Sequence, residues 1–243
     1  MIVRLTEERE KEYRAILRGE RCTGARIAAS MDCYGLSDDV CCFYLVDSSG
    51  ALMVQGAQAL LCGNAADVGE LEHFLEFSGV RSFFAERVML ERWRAAPRLL
   101  LGHAGPARRP DAEFPGLDRR PDLWALSQSG LLDVEQPVYY ADACRRVNAG
   151  SAVIWAVKDS AGGYRSTAGL YALTGGAAYL TAVATRPEDR GQGCAGALVQ
   201  GLCAFAAPRP VYLICAPGLR GFYEKLGFRL VTPICEFLPP EGR

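Results

Sequence analysis

Hydrophobic and polar positions along the chain recur at periods near two or near 3.6, and the places where the period changes mark out the elements. Tyr179 to Thr185 mixes aromatic and β-branched residues with small apolar ones, as a strand buried on both faces does, and Pro187 stops it. From Ala195 the apolar residues fall at Ala195, Leu198, Val199, Leu202 and Phe205, which predicts a helix with one buried face, ended by Pro208. A further strand is expected over Val211 to Cys215. In the first half the pattern predicts a helix over Glu7 to Leu17, a second helical stretch near Thr23 to Met31, a strand over Cys42 to Asp47, and a strand over Leu52 to Leu61 after the turn Ser48-Ser-Gly50. A helix over Glu70 to Phe77, a strand over Arg81 to Ala85, a short helix near Arg87 to Trp93 and a last segment at Arg98 to Leu101 follow.

The piece between the strand ending at Thr185 and the helix beginning near Ala195 carries the chemistry. Arg190, Gly191, Gln192, Gly193, Cys194, Ala195 and Gly196 are mostly small, so the backbone can approach a ligand closely and direct several N–H groups at it. A helix N-terminus adds partial positive charge, and the turn therefore suits a phosphate or pyrophosphate. Gly191-Gln-Gly193-Cys-Ala-Gly196 satisfies G-x-G-x-x-G, but a dinucleotide turn starts where its strand ends, and here Arg186 to Arg190 intervenes. The next strand, Val211-Tyr-Leu-Ile-Cys-Ala216, also lacks the acidic residue that holds a ribose. A nucleotide-triphosphate loop needs Gly-Lys-Ser/Thr, which is absent from this turn.

Arg190, Gly193 and Ala195 meet the pattern Arg-x-x-Gly-x-Ala/Gly, and Gly221-Phe-Tyr-Glu-Lys-Leu-Gly-Phe228 follows at the right distance with Tyr-x-Lys-x-Gly-Phe. Together these resemble the GNAT superfamily of acyltransferases over about half the chain, from roughly Asp122 onward. The resemblance implies an α/β (α+β) fold with a mixed, mostly antiparallel sheet flanked by helices, in which Ala152 to Val157, Tyr164 to Leu173 and Ala178 to Thr185 form the meander before the loop. It implies acetyl-CoA as co-substrate and a small-molecule or peptide primary amine as acceptor. The N–H groups from Gly191 to Gly196, Cys194 among them, would hold the pyrophosphate, and Arg190 would support the loop or meet its charge. Val183 and Thr185 would offer main-chain groups to the pantetheine amides, in the manner of an added strand. Tyr223 would protonate the departing thiolate as general acid, unless its place in the set Leu219, Phe222, Tyr223, Leu226 makes it a packing tyrosine.

The general base does not stand out. Glu236, Tyr171 and Tyr179 fall on expected strands, whereas His73 and His103 lie in the other half and read as surface or packing residues. Ala216, followed by Pro217-Gly218, occupies the place where the family commonly has an Asn that bonds the coenzyme.

A composition of 243 residues with 50% hydrophobic and 23% charged suits one large domain or two small ones. The stretch Gly102 to Pro121, with Pro106, Pro110, Pro115 and Pro121, divides it into 1–104, a linker at 105–121 and an acyltransferase domain at 122–243. The first half repeats the order of the second, and Val46-Asp-Ser-Ser-Gly echoes Val157-Lys-Asp-Ser-Ala-Gly162. It is therefore expected to be a degenerate GNAT-like unit in which Cys62-Gly-Asn-Ala-Ala-Asp-Val-Gly69, with an acid and no Arg, replaces the coenzyme loop and repels pyrophosphate.

A net charge of −1 gives no electrostatic reason to expect nucleic acid or an anionic membrane as partner. The start of the chain has no apolar signal region and no stretch approaches 18 apolar residues, so a cytoplasmic protein is expected. Ten cysteines show no C-x-x-C pair or His at zinc spacing, which argues for buried free thiols and no metal. Two other readings are an acyl-CoA-binding pseudoenzyme without turnover and a dinucleotide oxidoreductase.

Overall fold

The computed structural model describes residues 1–105 and 114–240. Its contacts divide the chain into two compact units: Met1–Leu100 with Ile214–Arg220 and the segment from Leu230, and Leu101–Leu213 with Gly221–Arg229.

In the first unit β1 (Ile2–Arg4), β2 (Cys41–Val46), β3 (Gly50–Gln55) and β4 (Gln58–Gly63) form an antiparallel series. After α3 (Val68–Phe77), β5 (Ser82–Ala85) runs parallel to β4. The sheet continues through β12 (Arg229–Leu238) to β6 (Arg94–His103). α1 (Glu10–Leu17) and α2 (Arg21–Tyr34) lie against it. Tyr13 is fully buried and its hydroxyl donates to the Leu52 carbonyl at 2.9 Å, which seats α1 on β3. A side chain at Gly24 would meet the Leu17 carbonyl oxygen at 1.8 Å, so only glycine lets the two helices approach this closely. Leu52, Leu61, Leu71, Leu75, Phe83 and Phe237 make up much of the core.

Three expectations differ here. The single strand over Leu52 to Leu61 is a hairpin, because Gly56 adopts φ 55° and reverses the chain between β3 and β4. Arg87 to Trp93 forms no helix: Val88, Leu90 and Trp93 are buried in the core from an irregular segment, and their i, i+2, i+5 spacing does not make one helical face. The end of the chain, grouped by sequence with the second half, pairs instead with β5 through Cys235↔Ala85, Glu236↔Phe84 and Phe237↔Phe83. Fully buried Phe237 stacks at 6.0 Å on Phe83, so apolar burial holds this strand in the first unit.

In the second unit β7 (Leu117–Asp118), β8 (Val153–Lys158), β9 (Tyr164–Leu173) and β10 (Ala178–Thr185) are antiparallel, and β11 (Val211–Cys215) joins β10 in parallel. α4 (Leu123–Gln128) and α5 (Gln136–Asn148) cover one core, of Leu126, Ala143, Ile154, Ala156 and Tyr164. α6 (Cys194–Ala206) buries Leu198, Val199 and Leu202 and packs on β8, β9 and β10. The sequence reading set out neither α4 nor α5. β7 and Asp122, the N-cap of α4, fall at the end of the proline-containing stretch expected as a linker, whose Pro106 and Pro110 lie outside the described residues. Among the described residues, no helix is long and apolar enough to cross a membrane and no cluster of His, Cys, Asp or Glu could hold a metal ion.

Candidate active site

Strand β10 is irregular where a regular strand would leave no room. It pairs with β9 through Thr181↔Gly169 and Ala184↔Thr167, so Ala182 and Val183 form a bulge, and Ala182 is held at φ 54°. A left-handed alanine costs on the order of 1 kcal/mol and persists only where its surroundings fix it. Ser166 helps to do so, since its Oγ donates to the Ala184 carbonyl at 2.9 Å and lies 2.8 Å from the Thr185 hydroxyl. On the other side β10 pairs with β11 only at Ala178↔Val211 and Tyr179↔Tyr212. Val183 and Thr185 lie on β10 beyond these pairs and are half-buried.

The turn that follows places Arg190, Gly191, Gln192 and Gly193 at the surface. Gly193 is the N-cap of α6 at φ 84°, and among the described residues no side chain caps the helix. The first N–H groups of α6 therefore have no acceptor within the helix and face outward with its positive dipole end. Gly191, at φ 79°, has open space where a side chain would stand. Cys194 is buried, its side chain turned into the protein, while Ala195 and Gly196 are half-buried. This arrangement fits an anion: the loop is open, built on positive-φ glycines, and uncapped.

α7 (Arg220–Lys225) carries Tyr223. Of the set Leu219, Phe222, Tyr223 and Leu226 only Tyr223 is buried, at 7% exposure, while Leu219 and Phe222 are exposed. The set is thus not a buried stripe. The ring of Tyr223 is held edge-on between Phe222 at 4.9 Å and Phe228 at 5.7 Å, and its carbonyl accepts from Leu226 and Phe228 N–H groups at 3.0 and 3.1 Å. Leu226 packs beside Gly196, 3.7 Å from where a side chain there would begin. The Tyr-x-Lys-x-Gly-Phe turn and the mouth of α6 are therefore neighbours within one unit.

The candidate bases fare differently. The Glu236 carboxylate is tied to Arg98 at 2.5 Å and accepts from Ser82 at 2.7 Å, all in the first unit. Tyr171 donates to the Tyr139 hydroxyl at 2.8 Å, and burial pushes the Tyr171 phenol well above its ordinary value. Tyr179 is buried at 8% exposure. His103, grouped by sequence with the first half, packs in the second unit against Phe228 and Gly227, and burial lowers its pKa. His73 is exposed and bonds the Gly69 carbonyl at 2.8 Å. Ala216 begins the short turn Pro217–Leu219 and offers no side-chain amide.

Residues 149–230 match the family model described as "Acetyltransferase (GNAT) domain". No curated protein matches the chain. Among solved structures the chain is similar to a tandem GNAT protein from the clavulanic acid biosynthesis pathway, at 13% identity and a TM-score of 0.64, covering 100% of this chain and 99% of that one. A protein of the GNAT family from Novosphingobium aromaticivorans has 18% identity and a TM-score of 0.60 over 90% of this chain and 96% of that one. A GCN5-related N-acetyltransferase from Sphaerobacter thermophilus has 15% identity and a TM-score of 0.60 over 98% and 94%. Residues 149–230 thus carry a match to the GNAT domain, and the fold of the chain is the one these GNAT structures share.

Proposed function

We propose that this protein is an N-acetyltransferase that moves an acetyl group from acetyl-CoA to a primary amine by direct attack, and that the second unit does the work. The observation that carries this reading is the start of α6 behind the glycine loop, without a side-chain cap among the described residues and preceded by the bulged strand β10. The N–H groups of Gly191 to Gly196 would hold the pyrophosphate, with Arg190 at the rim to meet its charge. Val183 and Thr185 would give main-chain bonds to the pantetheine arm. Tyr223 would deliver its hydroxyl proton to the thiolate that leaves when the amine attacks. The first unit is a support rather than a second coenzyme site.

Calorimetric titration with acetyl-CoA, run beside a Gly193→Glu variant, tests the reading. Saturable binding that disappears in the variant supports it, because the added carboxylate would stand in the anion's place. Absence of binding to the unaltered protein would remove the reading at its base. Thiol release from acetyl-CoA over a panel of amines then separates turnover from binding alone.

A further inference from the structure

The loop motif runs from Arg190 onward, yet the guanidinium that braces it comes from a different strand. Arg165, on β9, donates from Nη1 to the Gln192 side-chain oxygen at 3.1 Å and lies 3.7 Å from the Asp189 carboxylate. Its own carbonyl accepts from the Arg186 N–H at 2.9 Å, and the Gln192 amide reaches on to the Glu188 carbonyl at 3.4 Å. One residue therefore ties down the turn before the loop and a residue inside it. The Arg165 side chain is 17% exposed, and its Nε is buried with no hydrogen-bond partner. A buried donor left unsatisfied opposes folding, so fold stability alone does not account for an arginine here.

We infer that Arg165 is a positioning residue for the coenzyme loop, fixing Gln192 and Asp189 so that the N–H groups of Gly191 to Gly196 are set before an anion arrives. The inference rests on the proposed coenzyme site and names a part of it that the loop motif does not contain. Both partners are reached from Nη1 at the end of the planar guanidinium, and a lysine ammonium on its flexible stem keeps the charge without being fixed in that place. The cation also lies beneath a site meant for negative charge, where it adds attraction without itself occupying the loop.

Two measurements test this on the full chain. Hydrogen exchange of the segment 186–196 without ligand should be faster in Arg165→Gln than in the unaltered protein, with the thermal midpoint and exchange elsewhere unchanged. Calorimetry should show acetyl-CoA Kd raised about tenfold in Arg165→Gln and about threefold in Arg165→Lys, the expected size for losing one charged hydrogen bond in whole or in part. Turnover at saturating acetyl-CoA should stay within about twofold, since the loop and not the reacting centre is disturbed. Unaltered exchange in 186–196 would overturn the inference, as would an acetyl-CoA Kd equal to that of the unaltered protein. Failure of the unaltered protein to bind acetyl-CoA would instead sink the proposed function, and the exchange experiment would still judge the brace.

Discussion

Helix α3 in the first unit begins with Asp67, whose carboxylate accepts from the Glu70 N–H at 2.8 Å, and Asp47 reaches over to take the Ala66 N–H at 2.9 Å. Helix α6 in the second unit begins with Gly193 and has no side-chain cap. The strands before these helices differ in the same sense. β4 pairs with β3 in unbroken register and stays beside β5 from Gln58↔Ser82 to Leu61↔Ala85, while β10 bulges at Ala182 and leaves β11 after Tyr179↔Tyr212. The same order of elements occurs twice, and among the described residues only the first copy closes the start of its helix with carboxylates. In the first the protein's own carboxylates stand where an external anion would be received. The residue echoed in sequence by Asp47 is Asp159, whose carboxylate is paired with Arg186 at 3.1 Å and accepts from the Ala161 and Gly163 N–H groups at 2.9 Å.

The largest expected effect falls on the copy that stayed open. Tyr223→Phe keeps the ring between Phe222 and Phe228 and removes only the hydroxyl, so the fold and acetyl-CoA affinity should hold. Turnover should fall by about 10² or more, the usual range for a general acid. Steady-state kinetics beside calorimetry reads both quantities. An unchanged kcat would leave Tyr223 as packing and shift the difference between the units to binding alone.

The first unit also holds a buried carboxylate. Glu20 is 3% exposed; one oxygen accepts from the Gly63 N–H at 2.9 Å and lies 3.4 Å from Arg87 Nε, while the other has no partner. Burial raises its pKa to about 7, with nearby Glu86 adding to the shift and Gly63, Arg87 and Cys62 opposing it. A raised pKa means the folded state prefers the proton. The associated stability is full below the ordinary value of 4.5 and is lost as pH rises through about 7. From pH 5 to pH 8 this group should remove on the order of 2 kcal/mol, and Glu20→Gln should flatten that dependence. Urea unfolding midpoints at the two values decide it; an equal slope in both proteins would assign the dependence elsewhere.

How far the sequence disclosed these things depends on the range of the interaction. The glycine loop, the strand before it and the helix after it were legible because their signals are local: small residues, Pro187 and Pro208, and a 3.6 period. Tyr223 was legible through its spacing from Gly227 and Phe228. The hairpin at Gly56 had a local signal as well, but the apolar residues on either side of it read as one run. The bulge at Ala182 had none, since alanine rarely takes positive φ and only the packed strand holds it there. The placement of β12 was invisible for another reason. Its partner β5 lies far back in the chain, with Ser82 and Glu236 separated by 154 positions, and no pattern within a strand names the strand it will join. Arg165 was missed because it precedes the motif and acts across a sheet.

The smallest effect tests whether the cap on α3 is what closes the first unit. Asp67→Ala removes the bond to the Glu70 N–H and should cost about 1 kcal/mol, the usual size for an N-cap. It should not create a second coenzyme site, because Asp47 still occupies the Ala66 N–H and β4 still lies against β5. The experiment is best made in a Gly193→Glu background, where any heat on adding acetyl-CoA has to come from the first unit. A flat titration means that closure is distributed over the carboxylates and the paired strands together. Saturable binding would mean that one side chain separates the two copies, and that the first had lost its ligand by a single capping residue.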